Sequence, residues 1–292
     1  MDQVVLTPLV VLALQLGLFI MMVSVSLETA RADWVQCFDK PIIFLVAITL
    51  QIICIPLLAL IFVQLVPMHP EVKMGILLIS LCPGGVISNY FTSKAGGNVA
   101  LSSVLTLISS MLVPFTLPLG LYLFSVIQPE FKLFFNVELL YKTSWLTVII
   151  IIPALIIGQL LKLYFKVTAS ILANPLKLFS FMLISLIIVS ALVKNRELLF
   201  TEFLTLFPVA FVFNALLLLF GFWVGRFFKQ PLAICKTLSM ELGIQNIGVA
   251  MIIAPSLFPD SSGVLNTAAF WGVWHLTSGL SLSHYWHKSL RK

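Results

Sequence analysis

Long apolar runs repeat through almost the whole of this 292-residue chain, separated only by short charged or Pro/Gly-punctuated breaks. A helix rises about 1.5 Å per residue, so a run of roughly 20 residues crosses a hydrocarbon core of about 30 Å. Cutting at the breaks gives about nine such runs, at roughly 4–27, 41–66, 72–95, 98–127, 142–163, 171–193, 199–228, 231–257 and 263–286. Composition agrees: 10% of residues are charged, against about 25% in soluble domains, and mean hydropathy is +1.11. A soluble enzyme, a secreted disulfide scaffold and a disordered chain are excluded. Unbroken runs also exclude a β-barrel, whose strands alternate polar and apolar residues. The expected fold is an all-α polytopic membrane protein, a single transmembrane domain over 1–292 with no stretch left for a soluble one.

The net charge of +6 reflects topology rather than a nucleic-acid partner, because Lys and Arg accumulate in cytoplasmic loops. With nine spans the termini lie on opposite sides. An outside N-terminus puts twelve of the 17 Lys and Arg inside, among them Lys40, Lys162, Lys177, Arg226, Lys236, Arg291 and Lys292, and leaves five outside, including Lys132. N-out, C-in is expected, with the first run a spanning helix rather than a cleaved signal peptide. The four cysteines, Cys37, Cys54, Cys82 and Cys235, have no metal-ligand spacing and read as small packing residues.

The third and eighth runs are interrupted near their middles, by Cys82-Pro83-Gly84-Gly85 with Ser88-Asn89 following, and by Glu241-Leu242-Gly243-Ile244-Gln245-Asn246 with Gly248 following. Proline removes a backbone donor and glycine lowers helix propensity. Unpaired backbone groups at bilayer depth are tolerated only where they are buried in protein or line a hydrated cavity. The two broken runs are five apart and cross in opposite directions, as inverted repeats require. Interrupted segments in corresponding halves, here roughly 1–130 and 131–292, point to the binding site of a secondary transporter.

Glu241 is the only carboxylate near the middle of a run, and no Lys or Arg falls mid-run to pair with it. An ionised side chain there costs at least about 2.5–3.5 kcal/mol. Either the group is protonated and hydrogen-bonded in the bundle, or an inorganic cation is its counter-charge. Oxygen-bearing side chains lie at comparable depth: Gln51, Ser88, Asn89, Ser102, Thr106, Gln245 and Asn246. Ser102 and Thr106, four apart, share a helix face, although such hydroxyls also back-bond to their own helix. One carboxylate among neutral oxygens suits a monovalent cation. His275 reads as a cavity residue or a packing hydrogen-bonder. Enzyme motifs are missing, with neither His-Glu-x-x-His nor Gly-x-Ser-x-Gly present.

Taken together, Cys82–Asn89, Gly97-Asn-Val-Ala-Leu-Ser102 with Thr106, Glu241–Asn246 with Gly248 and Ala250, Gln51 ahead of Pro56, and Trp274-His275 resemble the bile acid:sodium symporter family over nearly the whole chain. The resemblance implies a core domain whose two discontinuous helices cross at the midplane, a panel domain that moves against it, and two sodium ions. The first ion site would be Ser88, Asn89, Ser102, Thr106 and Glu241. The second would be Gln51, Glu241, Gln245 and backbone carbonyls at Leu242 and Ile244. The organic-anion cavity would be faced by Val86, Ile87, Asn246 and His275. The nine-run pattern matches the animal form of the family, whereas several bacterial relatives have ten helices. Val86 stands where some relatives have Thr, and Leu276 where many have Asn, which makes the cavity less polar.

The function expected from this is sodium-coupled symport of a bile-acid-like or small carboxylate anion by alternating access, in a plasma or bacterial inner membrane. No obligate protein partner is evident. A proton-coupled carrier on the same fold and a non-transporting membrane receptor remain as alternatives.

Overall fold

The computed structural model describes residues 8–39, 41–128, 137–194, 196–258 and 261–289. Lys40, Lys132, Arg291 and Lys292 of the charge count lie outside the described residues. All regular structure among the described residues is helical, in chain order α1 (Pro8–Glu28), α2 (Arg31–Phe38), α3 (Pro41–Thr49), α4 (Ile55–Leu65), α5 (Pro70–Ser80), α6 (Val86–Ala95), α7 (Val99–Ile127), α8 (Val137–Tyr164), α9 (Lys166–Lys194), α10 (Arg196–Phe227), α11 (Leu232–Gly243), α12 (Ile247–Leu257) and α13 (Ser262–Ser289).

Among the described residues six stretches are long and apolar enough to cross a membrane: Leu9–Glu28, Pro41–Leu65, Val99–Ile127, Tyr141–Tyr164, Lys166–Ile187 and Phe203–Phe227. Of the nine expected runs, three differ from these. Those at 72–95 and 231–257 are each two short helices with a non-helical segment between, and the last, α13, is 28 residues long but carries Asn266, Thr267, His275, Thr277 and Ser278. Large apolar side chains face outward on the long helices, with Leu65 76% and Phe227 81% exposed. In water such surface would be a liability; in lipid it is the solvent contact.

Local chemistry explains the breaks. After Ser80 the chain meets Pro83, which cannot donate and disfavours helix in the residue before it, and Gly84 and Gly85 follow. Gly96 ends α6 in the left-handed conformation at φ 71°, and Asn98 caps α7 by accepting from the amide of Leu101 at 2.9 Å. Between α3 and α4, Leu50–Cys54 is a π-helical turn closed by the Ile55 amide on the Leu50 carbonyl. Pro56 follows immediately, and the wide turn places Gln51 in the interior.

Helices α1, α8 and α9 pack on one another. The rest group around α10–α11, α13 with α5 and α6, and α7 with α6 and α11. The largest apolar core, from Leu14 and Met22 to Trp271, joins both groups. All four cysteines are free thiols.

Candidate functional site

The two breaks meet. Gly84 and Gln245 form an isolated antiparallel bridge, with the Gly85 amide donating to the Ile244 carbonyl at 2.7 Å and the Asn246 amide to the Pro83 carbonyl at 2.8 Å. Backbone freed from one interrupted helix is thus satisfied by the other, as a buried break requires. Asn214 of α10 adds a side-chain donor to the Gly243 carbonyl at 2.7 Å and accepts from Ser278 of α13 at 2.6 Å.

Glu241, 3% exposed, sits beside this crossing. Its Oε1 accepts from the hydroxyls of Ser88 and Ser102, and its Oε2 from Thr106 at 3.1 Å. Ser102 and Thr106 therefore turn to the carboxylate rather than back-bonding along α7. Asn89 reaches the cluster through Ser102, which is 2.7 Å from its Oδ1, while its Nδ2 donates to Glu28 at 3.3 Å. All five residues of the first expected set are brought together, from α6, α7 and α11.

The second set forms an adjoining chain. Gln51 Nε2 donates to Gln245 Oε1 at 3.0 Å and to the Cys82 carbonyl at 3.2 Å, and Gln245 Nε2 donates to the Leu242 carbonyl at 2.8 Å. The Ile244 carbonyl is occupied by the Gly85 amide, and the hydrogen bonds of Glu241 go to the first cluster. Among the described residues no three His, Cys, Asp or Glu side chains gather as for a transition metal. A lone carboxylate with hydroxyl and amide oxygens is the donor set of a hard monovalent cation.

Next to the crossing lies a cavity of about 60 Å³, lined by Val86, Ile87, Asn246 and His275, by Leu276, and by residues of α1 and α9. The N-termini of α6 and α12 end at it. Asn246 is 2% exposed and neither its Nδ2 nor its Oδ1 has a partner. His275 Nδ1 bonds the Trp271 carbonyl at 2.7 Å, leaving Nε2 for another group.

Two basic residues of the charge count are held by protein. Lys177 lies twelve residues into α9, lines the cavity and pairs with Glu28. Lys236, 2% exposed, donates to the Ala95 carbonyl at 2.8 Å and lies over the Trp286 ring. Neither is a solvated loop charge, and neither is among the hydrogen-bond partners of Glu241. Asn214, Glu28 and Lys177 were not among the expected site residues. The signal for Lys177 was a cation inside an apolar run.

Two interrupted helices that meet in a helical membrane protein, with a buried set of oxygen donors and a cavity beside the meeting point, are the arrangement of a membrane transporter. A sequence profile of the sodium bile acid symporter family matches residues 15–202. The chain belongs to that family, which is one of transporters and not of enzymes. It is 29% identical over 277 residues to the "Uncharacterized sodium-dependent transporter YocS" of Bacillus subtilis, covering 94% of this chain and 82% of the relative. It is 26% identical over 277 residues to the "Probable sodium/metabolite cotransporter BASS3, chloroplastic" of Oryza sativa, covering 92% and 62%. To the "Sodium-dependent organic anion transporter" of Bos taurus it is 25% identical over 238 residues, covering 82% and 62%.

Proposed function

We propose that the chain is a secondary active transporter that couples inward sodium movement to uptake of an organic anion by alternating access. The observation that carries this is the convergence of Ser88, Ser102 and Thr106 on the buried Glu241 at the crossing. Family membership supports the sodium dependence.

In this reading nine spans, the third and eighth discontinuous as α5–α6 and α11–α12, form two inverted halves of roughly 1–130 and 131–292 in a single domain. The N-terminus is outside and the C-terminus inside. Helices α1, α8 and α9 make the panel, and the remainder makes the core. Two sodium ions travel with the substrate. One is held by Ser88, Asn89, Ser102, Thr106 and Glu241, the other by Gln51, Gln245, Glu241 and the carbonyls of Leu242 and Ile244. The hydroxyls that donate to Glu241 would rotate to turn lone pairs toward an arriving cation. Asn246 and His275 bind polar groups of the substrate, and the partial positive charge at the N-termini of α6 and α12 favours an acid group between them. Val86, Ile87 and Leu276 fit an apolar body.

A proton-coupled carrier is the second reading, favoured by one observation: among the described residues no basic side chain is a hydrogen-bond partner of Glu241. Proteoliposomes separate the two. An inward sodium gradient should drive radiosodium uptake that organic acids accelerate. Uptake equal to that of empty liposomes, with acid entry driven instead by an imposed pH gradient, would select the proton.

A further inference from the structure

Among the described residues Lys177 is the one Lys or Arg lining the cavity, and no Asp or Glu lines it. It lies twelve residues into α9, roughly 16 Å along the helix from its start. Its ammonium is ion-paired to Oε1 of Glu28, at the end of α1, with both side chains 17% exposed. The other oxygen of Glu28 accepts from Asn89, a residue of the first ion cluster, at 3.3 Å. Glu28 itself does not line the cavity. On the same cavity wall stands Asn246, buried with both polar atoms unpartnered.

From this arrangement we infer that Lys177 is the anion receptor of the cavity, and that Glu28 is an internal carboxylate occupying it until the acid group of a substrate takes its place. The inference rests on the transport reading and deepens it by naming, on the same cavity as the N-termini of α6 and α12, the full positive charge that selects the substrate's acid group. A cation enclosed at this depth is costly unless a carboxylate faces it. Glu28 meets that need in the structure. Exchange of one carboxylate or sulfonate for another leaves Lys177 paired throughout, and the displaced Glu28 keeps its contact with Asn89 beside the ammonium of Lys162, which donates to the Glu28 carbonyl at 2.9 Å. A neutral ligand cannot make the exchange, because it would leave Glu28 in place or Lys177 unpaired. The substrate class this selects is a monoanion with one acid group on an apolar body, its remaining polar groups reaching Asn246.

The test uses the whole chain in lipid nanodiscs at saturating sodium, with thermal unfolding as the readout. Three acids of different body size, cholate, octanoate and lactate, are titrated beside their uncharged amides. At least one acid should stabilise the wild type more than its amide does. Its dissociation constant should weaken about ten- to a hundredfold in Lys177→Met, as for loss of a charge-assisted contact. Lys177→Arg should recover part of this, and Glu28→Gln, lacking the internal competitor, should bind the acid about threefold tighter or more. Equal acid binding by Lys177→Met and wild type overturns the inference, as does an absence of any acid-over-amide preference in both wild type and Glu28→Gln. Sodium-induced stabilisation of the same samples keeps the two readings apart. If Lys177→Met retains the sodium response and loses only the acid preference, the variant is folded and the effect belongs to the anion. If sodium stabilises none of the proteins, sodium coupling fails whatever the acids do.

Discussion

The amide of Gly85 and the carbonyl of Ile244 are 2.7 Å apart, joining two helix interruptions that are 159 positions apart in the chain. A Cβ on Gly85 would come within 2.8 Å of the Gln245 carbonyl oxygen, which is backbone and cannot swing away. Gly85→Ala should therefore destabilise the protein by about 1–3 kcal/mol, the usual cost of overpacking. A melting temperature in detergent equal to that of wild type would show that the crossing yields more readily than this geometry implies.

The first cluster makes a graded prediction. Ser102→Ala and Thr106→Val each remove one oxygen beside Glu241. Each should weaken sodium binding about tenfold, comparable to one hydrogen bond to a charged group. Titration of sodium against intrinsic fluorescence measures this, with Ser281→Ala, whose hydroxyl bonds only its own helix, as the control.

Gln51 links the second set to the crossing through Gln245 and Cys82. If two ions bind, sodium-driven uptake in wild type should have a Hill coefficient above one, and Gln51→Ala should bring it close to one. An unchanged coefficient would remove Gln51 from the ion path.

Asn214 is fully buried and serves Gly243 and Ser278 at once. Asn214→Leu should lower stability by about 1–3 kcal/mol, because the Gly243 carbonyl loses its side-chain donor. Asn214→Asp keeps the acceptor for Ser278 but not that donor, so it should not rescue the loss in a thermal melt.

Much of this site was legible in the sequence because its residues violate the rules of a lipid-facing helix. Pro83, Gly84 and Gly85 interrupt an apolar run, and Glu241 places a carboxylate within another. The oxygen-bearing residues, Gln51 among them, stood out by their depth in the apolar runs, and the family resemblance divided them into two expected ion sites. What stayed hidden is tertiary. Lys177 looks like a topology-setting charge until Glu28, 149 residues away, is placed against it. Lys236 looks the same until it meets the Ala95 carbonyl. Asn214 is the one polar residue between Thr205 and Arg226 in α10, and nothing local distinguishes it from one that hydrogen-bonds its own turn. The π-helical turn at Leu50–Cys54 needed the geometry ahead of Pro56, which periodicity does not encode.

Sodium binding at Glu241 is the central claim, and ion-specific thermal stabilisation tests it most directly. Purified wild type and Glu241→Ala are melted in sodium, potassium and choline at equal ionic strength. A specific ligand stabilises the folded state by mass action, by about 2.7 kcal/mol at a hundredfold excess over its dissociation constant. Stabilisation of wild type by sodium alone, lost in Glu241→Ala, is the predicted result. Equal melting temperatures for wild type in all three salts would contradict the account.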